Sequence, residues 1–149
     1  MVDLPYAQMV AVHARQWCWA CGRKPNEPPT GWGGPWLIER AHLAAGSGAM
    51  RRVHDSRAVN LLCSRCHRCH RHRSGDMVSV NGKYYPRLTN GDMLWLKRER
   101  CSLDVEFVKS IWIGVFPELT EPDDWYMRQY QMRHPWDHLE NGGVQFVRV

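Results

Sequence analysis

Residues 60–73 read NLLCSRCHRCHRHR: three cysteines, three histidines and four arginines in one short run. Within it, Cys63-x-x-Cys66 answers a second pair upstream, Cys18-x-x-Cys21 in CWACG. Two pairs of this spacing close a tetrahedral four-thiolate shell that either pair alone would half fill. A closed shell leaves no open position, so the expected ion is a structural Zn2+, which contributes folding free energy directly in a small domain. Gly22 supplies the permissive backbone that such a knuckle turns on. Cys66-x-x-Cys69 is an equally legal pair. On a helix, positions 63, 66, 67 and 70 share one stripe, whereas Cys69 falls toward Arg65 and His72, and this favours Cys63 with Cys66. Cys101 is then a spare, buried thiol.

The rest of the chain bounds what this cluster belongs to. At 149 residues it is one domain's worth of chain, read here as a core over 1–75 and an extension over 76–149. No apolar run is long enough for a membrane-spanning helix, and MVDLPYAQMV lacks the regions of a secretion signal. A soluble, cytoplasmic protein with no membrane partner is the expectation, and in that compartment the cysteines read as metal ligands rather than disulfides. The net charge of +5 is unevenly spread. Between Arg40 and Arg73 stand eight arginines, no lysine and only Asp55 among acids, which gives +7 locally and −2 elsewhere. Arginine without lysine suits planar, bidentate contact with phosphate.

Coarse periodicity places the motifs. DLPYAQMVAVHARQW (3–17) reads as a short helix, PNEPPTGWGGP (25–35) as a stiff loop, and WLIERAHL (36–43) as a strand ending near His42. Val59 restarts an ordered segment, and the stretch to Arg73 has helical character, with Asn60 just ahead of the helix. MVSVNGKYYPRL (77–88) carries an Asn81-Gly82 hairpin turn. Thr89 or Asn90 caps a helix through MLWLKRER, and Asp104 caps another through VEFVKSIWI. Leu94, Trp95, Ile111 and Trp112 are core candidates, PELTEPDD (117–124) is an acidic linker, and the aromatic-rich end reads as a helix followed by a tail.

The order C-x-x-C, then A-H-L on a strand, then N-L-L-C-x-x-C-H-x-x-H resembles the HNH endonuclease family in its zinc-stapled form, over roughly residues 15–73. The resemblance implies an α+β fold: a ββα-metal (His-Me finger) core with a structural four-cysteine zinc knuckle, followed here by a helical, Trp-rich C-terminal extension. It implies that His42 is the general base activating water, that Asn60 holds strand and base in position, and that His67 is a ligand of one catalytic divalent cation (Mg2+, Mn2+, Ni2+ or Zn2+). His70 is its second ligand or a phosphate contact. Family members commonly carry Asp, Glu or His directly before the base. Here that position is Ala41, and the nearest carboxylate, Glu39, is the remaining candidate ligand of that cation, expected on the strand face opposite His42 and reaching the ion only where the strand bends or ends.

The leading expectation is therefore a metal-dependent DNA endonuclease, of a kind found in phages and mobile elements, with Arg40, Arg51, Arg52, Arg57, Arg65, Arg68, Arg71 and Arg73 along the DNA backbone. The alternative is a non-catalytic zinc module that binds nucleic acid through the same basic surface. A third is an interaction module whose C-terminal half contacts another protein or a second copy.

Overall fold

The computed structural model describes residues 17–43, 56–71 and 75–121. The expected helix over 3–17, Arg51, Arg52, Arg73, the Arg71 side chain and the aromatic-rich stretch after 121 lie outside the described residues. The elements run β1 (Ile38–His42), a 3-10 turn (Ser56–Ala58), β2 (Val59–Cys63), α1 (Ser64–Arg71), β3 (Met77–Val80), β4 (Lys83–Pro86), α2 (Asn90–Arg100) and α3 (Val105–Ile111). Each strand pair is a separate two-stranded antiparallel sheet, so the chain mixes α and β.

β1 and β2 form the sheet that positions the cysteine and histidine spacings. Ile38 faces Cys63, Ala41 faces Asn60 and His42 faces Val59. Leu43 N–H to the Ala58 carbonyl (3.0 Å) and Ser64 N–H to the Leu37 carbonyl (3.0 Å) extend the ladder at its two ends. Alternation gives the sheet two faces. Ala41, Leu43, Ala58 and Leu62 belong to one buried cluster with Cys66, Cys69 and Met93. Val59 and Leu61 belong to another with Trp19 and Cys101. All of β2 is buried, because helices cover the first face and the knuckle tryptophan covers the second.

Asn60 is thus a residue of β2, not the position just ahead of a helix. Five residues with an apolar majority pair with β1 before the chain turns at Ser64 into α1. The side-chain hydroxyl of Ser64 fastens that corner, accepting from Leu37 N–H at 3.1 Å. Cys63 is likewise the last strand residue, so it meets Cys66 across the strand-to-helix corner rather than along a helical stripe.

The remaining elements follow their local signals. Asn81 (φ 52°) and Gly82 (φ 80°) are both left-handed, the two-residue turn that matches strand twist. Thr89 caps α2 in a reciprocal box with Asp92, and the Asp104 carboxylate accepts from Phe107 N–H at 3.0 Å to start α3. Leu94 is fully buried, while Trp95, Ile111 and Trp112 are partly buried against the same cluster. That cluster joins Cys18, Leu62 and Cys66 to Val78, Leu88 and Met93, so the segments before and after residue 75 share one core.

The Pro/Gly loop is stitched by its tryptophans. Trp36 Nε1–H donates to the Lys24 carbonyl (2.9 Å) and Trp32 Nε1–H to the Pro35 carbonyl (3.1 Å), with the two rings edge-to-face at 5.1 Å. No described helix is long and apolar enough to cross a membrane.

Candidate metal centre and basic surface

Cys18, Cys21, Cys63 and Cys66 converge, with all four sulfurs within 4.8 Å of one another and all four side chains buried. Two knuckles bring them there. Gly22, at φ 76°, lets the first chain segment turn back, closed by Gly22 N–H to the Cys18 carbonyl and Cys18 N–H to the Arg23 carbonyl, both 2.9 Å. Cys21 N–H points at Cys18 Sγ and Cys66 N–H at Cys63 Sγ, each at 3.4 Å. The same N–H···S bond recurs three residues on in both pairs. Trp19 N–H donates to the Leu61 carbonyl (2.9 Å), which docks the first knuckle on the free edge of β2.

The spacing fits an ion. Zinc–thiolate bonds of ~2.3 Å in a tetrahedron place sulfurs roughly 3.8 Å apart, and Cys21 Sγ stands 3.7 Å from Cys63 Sγ. A disulfide would need ~2.05 Å; all six cysteines are free. Burial opposes ionisation of Cys21, yet hydrogen bonds from Cys18, Cys63 and Cys66, with the charge of Arg65, hold its thiol well below the ordinary thiol range. Burial pushes Cys63 and Cys66 up, and the neighbouring sulfurs of Cys18 and Cys21 push them further. Ionisation is thus eased at Cys21 and opposed at Cys63 and Cys66, a conflict that a cation among them would resolve by stabilising every thiolate at once. Cys69 is buried outside this group, and Cys101 is buried beside Lys97, whose Nζ is 3.5 Å from its sulfur.

The histidines divide differently. His67 Nδ1 lies 2.8 Å from Glu39 Oε1, the imidazole mostly buried and the carboxylate about one-third exposed. Glu39 shares a sheet face with Ala41, two residues on, and that is the face α1 covers. The carboxylate thus approaches His67 from the side on which Ala41 offers none. His42, by the same alternation, lies on the opposite face with Arg40 and Ile38. His70 is 2 % exposed, and its Nε2 stands 2.9 Å from Asn90 Oδ1. An amide oxygen only accepts, so the proton sits on Nε2. Asn60 reaches α2 rather than His42, with Nδ2 donating to the Met93 carbonyl at 2.8 Å. Its Oδ1 is buried without a hydrogen-bond partner. Among the described residues, the four cysteines are the one set of three or more His, Cys, Asp or Glu side chains brought to ligating distance; Glu39 pairs with His67, and His70 pairs with Asn90.

His70 gives a stability prediction. Burial, opposed by the Asn90 hydrogen bond and reinforced by the charges of His67 and Arg87, lowers it to about 4 from 6.5. The unfolded chain takes up this proton first, so the stability that neutral His70 contributes is full above pH 6.5 and is lost as pH falls toward 4. A shift of this size corresponds to about 3 kcal/mol. Thermal melts of the wild type are expected to fall more steeply across this window than those of His70→Gln. Parallel profiles would remove His70 as the cause.

Of the arginines expected along phosphate, the four described side chains, Arg40, Arg57, Arg65 and Arg68, have different surroundings. Arg40 and Arg68 are exposed. Arg68 stands with its guanidinium carbon 5.4 Å from the Trp32 ring and its Nη1 3.5 Å from Asn81 Oδ1. Arg57 lies 3.5 Å over the Phe107 ring and 3.7 Å from the Asp104 carboxylate, so α3 occupies it. Arg65, expected at the surface, is 3 % exposed and packs 5.0 Å from the Tyr85 ring. The β3–β4 hairpin covers it through Tyr85. Sequence reasoning also missed Lys97 and Arg100, both buried at the C-terminal end of α2. Lys97 Nζ is 5.5 Å from the Trp19 ring, and Arg100 Nε–H donates to the Trp19 carbonyl at 3.1 Å. Their only advance signal was a basic last turn, which is ordinary at a helix C-terminus.

Comparison with protein-family models, curated proteins and solved structures finds no match to this chain. The functional reading rests on its own residues.

Proposed function

We propose that the chain is a metal-dependent DNA endonuclease of the HNH kind, stapled by a structural zinc at Cys18, Cys21, Cys63 and Cys66. The observation that carries this reading is the meeting of Glu39 with His67, where a strand–strand–helix unit brings a carboxylate and an imidazole together at 2.8 Å. Carboxylate oxygen with imidazole nitrogen is a donor set for a hydrated divalent ion. An ion held there supplies charge stabilisation beside the scissile phosphate. His42, the last residue of β1, is the base: a neutral imidazole accepts a water proton near neutral pH. Sitting where the strand ends, it reaches a phosphodiester laid across that end. Arg40 and Arg68 are exposed to hold the DNA backbone.

The sheet register favours a second reading, a zinc-stapled module that binds nucleic acid without cutting it. It sets His42 and the Glu39–His67 pair on opposite faces, and the Glu39 carboxylate is already hydrogen-bonded to His67 Nδ1 at 2.8 Å. Supercoiled plasmid incubated with the purified protein in Mg2+, Mn2+ or Ni2+ separates the two. Nicked or linear product that disappears in chelator supports the nuclease. A gel shift with no cutting in any of the three ions sinks it in favour of the binding module.

A further inference from the structure

Three surface segments meet at Arg68. Trp32 comes from the Pro/Gly loop, Arg68 from α1, and Asn81 from the tip of the β3–β4 hairpin. The indole is held in place. Trp32 N–H donates to the Pro29 carbonyl and Nε1–H to the Pro35 carbonyl, both at 3.1 Å, and the ring meets Trp36 edge-to-face. Arg68 is exposed, its guanidinium carbon 5.4 Å from the Trp32 ring and its Nη1 3.5 Å from Asn81 Oδ1. It makes no ion pair with a described residue, so its charge is open to an anion. Nor does it seal the indole. Arg57 at 3.5 Å from the Phe107 ring is in stacking contact, and Arg68 at 5.4 Å is not. Gly33 and Gly34 keep the adjoining surface clear. Neither has the positive φ found at Gly31. A Cβ would meet nothing within 4 Å at Gly33, and only Trp32 Nε1, at 4.0 Å, at Gly34. Neither backbone nor packing therefore requires glycine there, and the remaining use of so entropically costly a residue is close approach of a ligand.

We propose that Trp32 and Arg68 form a contact for one unpaired nucleotide, the base lying on the indole and the phosphate taken by the guanidinium, which Asn81 steadies. An open aromatic face suits a flat ring, and an unneutralised guanidinium suits an anion; a nucleotide carries both. Within a duplex each base face is covered by its neighbours, so only an unpaired base, at an end, a gap or a flap, offers one. This rests on nucleic-acid binding, which both functional readings share, and is independent of whether the strand is cut. It adds a reader of strand structure to the backbone contact already assigned to Arg68.

The test is fluorescence anisotropy on the full chain, with no divalent ion added so that nothing is cut. The probes are two labelled duplexes of equal length, one blunt and one ending in a short single-stranded overhang. Wild type is expected to bind the overhang form roughly 5- to 150-fold more tightly, the worth of one stacked base. Trp32→Ala is expected to lose that preference while binding the blunt duplex as before, and Trp32→Phe to keep part of it. Arg68→Ala is expected to lower the salt dependence of overhang binding by about one counterion, a slope that Trp32→Ala leaves unchanged. Equal wild-type affinity for the two forms overturns the proposal and leaves nucleic-acid binding standing, whereas binding to neither overturns both. A preference that persists in Trp32→Ala also overturns it. Should Trp32→Ala not fold, Gly34→Leu decides, because its side chain starts beside the indole from a position where backbone and packing tolerate it. Loss of the preference there supports the contact, and a preference that survives overturns it.

Discussion

Cys63→Ser is expected to lose the bound metal and, with it, the cooperative thermal transition of the whole described core. Structural zinc in small domains contributes about 10–16 kcal/mol near neutral pH, whereas entire domains are stable by only about 5–15 kcal/mol. Cys63 closes the corner between β2 and α1, and its sulfur stands 3.7 Å from Cys21, so one substitution opens the shell between the two knuckles. The same core cluster contains Leu62, Leu88 and Met93, so loosening the knuckles loosens the contact of α2 with the sheet as well. Cys69→Ser and Cys101→Ser are the controls. Both residues are buried but lie outside the four-sulfur group, so both variants are expected to keep one metal per chain. Metal content by elemental analysis, with circular-dichroism melts before and after a strong chelator, reads the result. An unchanged melt after complete metal removal would overturn the structural role of the ion.

Spacing made the four-cysteine cluster legible from sequence and left the Glu39–His67 pairing obscure, for a physical reason. A C-x-x-C pair fixes its own geometry locally: four residues and an N–H···S bond determine where both thiols point. The partner pair needs only to arrive, and hydrophobic β2 delivers it. The hairpin at Asn81-Gly82 and the caps at Thr89 and Asp104 were readable because each is likewise a local rule. Glu39 with His67, His70 with Asn90 and Arg65 with Tyr85 are different. Each joins residues from separate elements, and no period within either element specifies the encounter. Asn60 shows the ambiguity most clearly. An asparagine before a helix is an ordinary cap, and only pairing with Ala41 reveals a strand residue whose side chain serves α2. The burial of Arg65 was hidden for the same reason, since composition gives charge but not which guanidinium a hairpin covers.

The two sheet faces turn the catalytic question into a pattern of kinetic effects. With His42 as base and Glu39 with His67 as the cation site, substitutions on opposite faces change different quantities. His42→Ala is expected to lower the maximal plasmid-nicking rate roughly 10²- to 10⁴-fold, the usual worth of a positioned proton acceptor, while leaving the divalent-ion concentration for half-maximal cutting where it was. Glu39→Gln keeps the size of the side chain and a possible hydrogen bond to His67 but removes the negative charge that attracts a hard cation. It is expected to raise that ion concentration, and His67→Ala to raise it further, since an imidazole nitrogen is lost outright. None of the three side chains belongs to the cysteine shell, so zinc content and melting behaviour should report intact protein throughout. The crossed result, an altered ion requirement in His42→Ala with none in Glu39→Gln, would place the cation on the Arg40 face and empty the Glu39–His67 pair of its role. Wild-type cutting by His42→Ala would move the base elsewhere. Because Glu39 and His42 stand on opposite faces of the one short strand β1, these outcomes can be told apart only by measuring rate and ion dependence together, in the same preparations.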